Sequence, residues 1–75
     1  MSTFTNQEAS IYVFAMRYAL PRDTGAAHFV TREIAKNWDR FTEGDKWEMH
    51  SEIIAQLEAT PSMLNRGDWE RILAL

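Results

Sequence analysis

Cysteine is missing from this 75-residue chain, prolines number two and glycines three. Without cysteine there is no disulfide staple and no thiolate metal site, so redox chemistry does not dictate a compartment. The glycines, at positions 25, 44 and 67, are too scattered to form a phosphate-cradling loop. Histidine is scarce as well. His28 and His50 stand outside HExxH, ExxH or any similar spacing that would put two ligands on one helix face. Ser10, Ser51 and Ser62 have no base at a spacing that suggests activation. These absences leave no catalytic residue, metal site or cofactor to expect. The longest apolar run, residues 11–20, is broken by Arg17 and is shorter than the roughly 20 residues needed to cross a bilayer. No basic segment precedes it and no small-residue cleavage site follows, so the expectation is a cytoplasmic protein with no membrane association.

What is present is helical punctuation. Thr5-Asn6-Gln7-Glu8 has the form of a capping box, with Phe4 placed to staple onto Ala9. It opens a first helix over about 6–20, which Pro21 is expected to stop by pushing Leu20 out of the α region. A helix apolar on nearly every face has to be covered on several sides, so the rest of the chain is expected to pack around it. Thr24 is placed as the cap of a second helix, about 25–40, on which Ala27, Val30, Ile34, Trp38 and Phe41 share one face. Thr42, with Glu43 and Asp45 behind it, opens a third at about 43–59. Its candidate buried residues are Trp47, Ile53, Ile54 and Leu57. Asp68 reads as the cap of a short final helix, 68–74, whose apolar end is expected to dock on the first helix. Met16, Met49 and Met63 read as core fillers. The fold class is therefore all-α: one domain over 1–75, a compact bundle of three main helices plus a short C-terminal one, with short connections that favour antiparallel neighbours.

Charge is distributed unevenly. Residues 1–41 hold five Lys/Arg and four Asp/Glu, whereas residues 42–75 hold three and seven, so the second part carries net −4 against +1 for the first. An overall charge of −3 argues against duplex binding, whose affinity comes from neutralising phosphates. Two rows carry the functional expectation. The acidic row Asp45, Glu48 and Glu52 on the third helix is the candidate protein-binding surface, with Trp69 placed beside it because the first turn of a terminal helix is often half exposed. The row Arg32, Lys36 and Arg40, with His28 before it, is the alternative basic face, suited either to an acidic partner or to a major groove in a small helix-turn-helix-like regulator.

The segments 16–24 (MRYALPRDT), 30–41 (VTREIAKNWDRF) and 69–73 (WERIL) together resemble small helical proteins encoded by bacteriophages and prophages. In that group an RYALGR-T segment is followed by an NW-containing helix and a C-terminal tryptophan helix. The likeness spans roughly residues 14–73 and departs from the pattern at Pro21, where glycine is common, and in a shorter link before Trp69. What the resemblance implies is a phage setting, in which small acidic helical proteins often bind and block a host protein. The expected function is thus stoichiometric binding that inhibits or redirects a host protein, such as a nucleic-acid-binding or defence factor. The alternatives are the DNA-binding regulator and a homodimeric assembly protein joined through the apolar first helix.

Overall fold

Two capping boxes set the two longest helices. In the computed structural model, which describes residues 2–75, α1 (Asn6–Ala19) begins where the Thr5 hydroxyl accepts from the Glu8 amide at 3.2 Å and the Glu8 carboxylate accepts from the Thr5 amide at 2.9 Å. The same reciprocal pair between Thr42 and Asp45 starts α3 (Glu43–Ala59). Between them lie α2 (Thr24–Lys36) and a 3-10 turn (Trp38–Arg40), and α4 (Arg66–Leu73) follows. The described residues contain four α-helices and no strand, and no helix is long and apolar enough to cross a membrane. The radius of gyration, 11.5 Å, matches the value of about 11 Å for a folded chain of this length.

Several boundaries differ from the sequence expectation, each for a physical reason. Leu20 stays in the α region (φ −59°, ψ −41°) although it precedes Pro21. Its side chain is fully buried, and that burial outweighs the local preference. α1 ends because Pro21 has no N–H to give. The carbonyls left over at Arg17 and Tyr18 accept instead from the Arg22 guanidinium, at 3.3 and 3.0 Å. The cap of α2 is Asp23, one residue before Thr24: its extended backbone turns the carboxylate onto the Ala26 amide at 2.8 Å. α2 stops at Lys36, four residues short of expectation, because the Asn37 side chain donates back to the Glu33 carbonyl at 2.8 Å and the chain tightens into the 3-10 turn. α4 starts at Arg66 behind Asn65, which adopts the left-handed conformation (φ 59°) that asparagine tolerates better than most residues. Asp68 consequently lies inside that helix rather than capping it.

The packing also departs from a bundle arranged around α1. α1 packs on α2, α2 packs on α4, and α4 packs on α3. α2 and α4 are therefore the two inner helices, and the short last one joins α3 to the rest. Trp69, expected to be half exposed, retains 1% of its surface, and Ile72 is fully buried. Together with Met16, Leu20, Ile34, Met49 and Ile53 they form the centre of the core. Trp69 and Ile72 of α4 share this core with Met16 and Leu20 at the end of α1, and a hydrogen bond from the Asn65 side chain to the Leu20 carbonyl at 2.6 Å adds a polar tie just before α4.

An aromatic group extends the same core. Phe4, Tyr12 and Phe41 pack in tilted and edge-to-face arrangements with ring centroids 5.0 to 5.3 Å apart. Phe4 donates its amide to the Arg40 carbonyl at 2.8 Å, and the Arg40 guanidinium lies 4.0 Å over the Phe4 ring. The segment before α1 is thereby strapped to the turn between α2 and α3.

Truncating Trp69 to alanine should cost about 3–5 kcal/mol, the usual range for a buried aromatic. Against a total of about 5–15 kcal/mol this is a large share of the stability, and the urea midpoint should fall in proportion. The Glu8 carboxyl provides a second prediction. The hydrogen bonds from the Thr5 backbone and then from its side chain hold its pKa below the ordinary glutamate value. A carboxylate depressed in the folded state stabilises above its unfolded pKa, and that contribution disappears as pH falls through the folded pKa. Thermal melts from neutral pH down through the carboxylate range should show the midpoint dropping, with a shallower drop in Glu8→Ala.

Candidate functional site

Two members of the acidic row are engaged within the fold and one is free. Asp45 is committed to the capping box of α3. Glu52 meets the Arg17 guanidinium of α1 at 3.1 Å and accepts from Gln56 at 3.4 Å. Glu48 is exposed and has no hydrogen-bond or ion-pair partner among the described residues. Arg17, Asp45 and Glu48 nevertheless share a small groove between α1 and α3, where Phe14 forms the apolar wall. Trp69, placed beside the row from sequence, sits in the core and presents no contact surface.

The basic row is dispersed. Arg32 and Lys36 are exposed along α2. Arg40 belongs to the 3-10 turn and donates to the Ser2 carbonyl at 3.0 Å, so it leaves the row. His28 is turned toward the first turn of α4, with Nδ1 2.7 Å from the buried Asp68 carboxylate. This pair holds α2 to α4. A major-groove reading of α2 is left with two cations on a chain of net charge −3.

What sequence periodicity missed is the outer face of α3. Trp47 and Ile54, both expected in the core, are exposed, Trp47 at 73%. The inward face is set instead by Met49 and Ile53, with His50 and Leu57 beside them half buried. Trp47 lies two residues before Met49, about 200° around a helix, so it must point outward. Trp47 and Ile54 are seven residues apart and therefore share a face, with Ser51 between them and Glu48 and Glu58 alongside. The adjacency of Ile53 and Ile54 concealed this, because a doublet fits either face.

The electrostatics of α3 follow from composition. Five carboxylates, at positions 43, 45, 48, 52 and 58, oppose one lysine, Lys46, which pairs with Glu43 at 3.4 Å. Glu43 and Asp45 complement the positive helix N-terminus, whereas Glu58 stands in the last turn, where a carboxylate costs about 0.3–1 kcal/mol. Glu58 has no compensating partner among the described residues. At the other end of the face, Trp47 borders an open cleft of about 540 Å³ with Trp38, Lys46 and His50. The His50 ring stacks on Trp38 at 5.3 Å, and its Nε2 lies 3.2 Å from the Ile72 carbonyl of α4. His50 is thus a structural bridge. Among the described residues no three His, Cys, Asp or Glu side chains gather in a group that could hold a metal ion.

No protein-family model, curated protein or solved structure matches the chain.

The Arg17–Glu52 pair is half exposed on the arginine side, so its worth is modest. A double-mutant cycle with Arg17→Ala and Glu52→Ala, read by urea unfolding, should give a coupling of about 0.2–1 kcal/mol.

Proposed function

We propose that this chain is a small acidic protein-binding module of phage type that inhibits or redirects a host protein by stoichiometric binding, and that it does so with the outer face of α3. The observation that carries the reading is Trp47, a large aromatic left outside the core on the same face as Ile54, between carboxylates that serve no cap and no ion pair. Tryptophan leads among interface anchors. Anchors at i and i+7 are the pattern by which one helix lies in the apolar groove of a partner.

Charge indicates the kind of groove. Glu48 and Glu58 flank the anchors, so the partner that complements them has lysine or arginine on its groove rim, as a nucleic-acid channel does. Of the acidic row, Glu48 is free to make contact, while Asp45 and Glu52 lie on the side of α3 turned toward α1 and are already engaged.

The test is capture from host lysate by the native chain and by a Trp47→Ala, Glu48→Lys variant. Both positions are exposed, so the variant should keep its circular dichroism and lie within about 0.5 kcal/mol of native stability. One host protein held by the native chain, and bound at least about thirtyfold more weakly by the variant, is the expected result. Equal capture by both proteins, or none by either, removes the α3 face from consideration.

A further inference from the structure

A second face is left open, and it differs from α3 in composition. Ile11, Phe14 and Tyr18 line the outer side of α1, and Phe29 of α2 continues the patch across a small apolar pocket shared with Ile11 and Ala15. Their exposures run from 58% for Phe29 to 69% for Phe14. This is the run whose apolar composition demanded cover on all sides. The chain covers only the side bearing Ala9, Val13, Met16 and Ala19.

We infer that this face is covered by a second copy of the same chain, packed through α1 about a two-fold axis with the two α1 helices antiparallel. Size is the first argument. At roughly 200 Å² for a whole aromatic side chain, the four residues expose on the order of 500 Å², at the upper end of the largest apolar patch on an ordinary monomer. Two such patches remove about 1,000 Å² before any rim is counted, and the rim brings the total into the range of about 1,200–2,000 Å² for stable interfaces.

Charge supplies the second argument and selects the occupant. The centre of the face carries no charge. At the end near the start of α1 the rim is acidic, with Glu8 one turn before Ile11 and Glu33 lining the pocket of Ile11 and Phe29. At the opposite end the free cation is Arg22, whose guanidinium lies 4.8 Å over the Tyr18 ring, while Arg17 beside it is paired with Glu52. A face with one acidic and one basic end complements itself when turned through a two-fold axis, which is what an isologous contact requires. An axis passing between Phe14 and Ala15 sets Ile11 of one copy against Tyr18 of the other and brings the Arg22 end to the Glu8 and Glu33 end. A uniformly acidic or basic partner matches only one end. Glu48 borders this contact across the groove it shares with Phe14, whereas Trp47 borders a different cleft, so the inference does not rest on the host-binding reading.

Sedimentation equilibrium of the full chain over a concentration series tests it. The expected result is a species of twice the 8.7 kDa chain mass. Ile11→Glu and Phe29→Glu, at positions exposed in the single copy, should keep the helical circular dichroism and weaken association at least about a hundredfold, as burying an unpaired charge at an interface does. Glu33→Arg should weaken it several-fold by placing like charges at the rim, and an unchanged association constant for that variant overturns the antiparallel arrangement. A native chain that is monomeric throughout the series, or a dimer that survives both glutamate substitutions, overturns the inference. A monomer whose α1 face holds some other protein counts against it equally.

Discussion

The structure depends on the burial of Trp69 and Ile72 by an eight-residue helix that could not persist alone. Isolated helices shorter than about 12–15 residues are marginal in water, so α4 is helical because the others hold it. Each of the three preceding helices contributes one polar tie to the segment 65–72. The carbonyl of Leu20, at the end of α1, accepts from Asn65; His28 of α2 meets Asp68; His50 of α3 meets the carbonyl of Ile72. These ties are directional, whereas the apolar contacts around Trp69 are not. The ties fix the rotation at which α4 enters, and the indole of Trp69 is its largest buried side chain.

This arrangement explains why α1, although the most apolar segment, is not the centre of the fold. With α4 shared between α2 and α3, the inner side of α1 meets enough surface to bury Val13 and Met16, and nothing is left to cover Ile11, Phe14 and Tyr18. The surface is consequently partitioned. Carboxylates and an exposed tryptophan mark α3, while an uncharged aromatic patch with oppositely charged ends marks α1 and α2. Arg17 stands at the seam, bordering the patch with Tyr18 and tying α1 to Glu52 of α3. The two faces meet in the groove where Phe14 and Arg17 stand beside Asp45 and Glu48.

Local chemistry was the legible part of the sequence. Thr5 with Glu8 and Thr42 with Asp45 each carry a complete reciprocal cap within four residues, and no distant contact is needed to read them. Elements governed by distant contacts were read less well. Asp23 and Thr24 are both good caps, and only the backbone geometry chooses between them. The face of α3 could not be assigned because Trp47, Ile53, Ile54 and Leu57 do not fall on one stripe, and the decision rests with α4, which selects Ile53 and releases Ile54. Asp68 looked like a cap because capping and buried pairing use the same residue type. The partner that distinguishes them, His28, lies forty positions earlier. The aromatic strap of Phe4, Tyr12 and Phe41 was invisible for the same reason, although the early phenylalanine before the Thr5 cap was a partial signal.

Placing the keystone late in the chain has a consequence for how the protein comes into being on the ribosome. Helices α1 to α3 emerge with their caps intact, yet Met49, Ile53 and Ile34 have no Trp69 or Ile72 to close against until residues 66–73 have left the exit tunnel. A chain halted before that point presents an open apolar trough rather than a smaller folded domain. Until α4 is in place the apolar side chains it covers stay open to water, the kind of transient exposure that favours association before folding is complete.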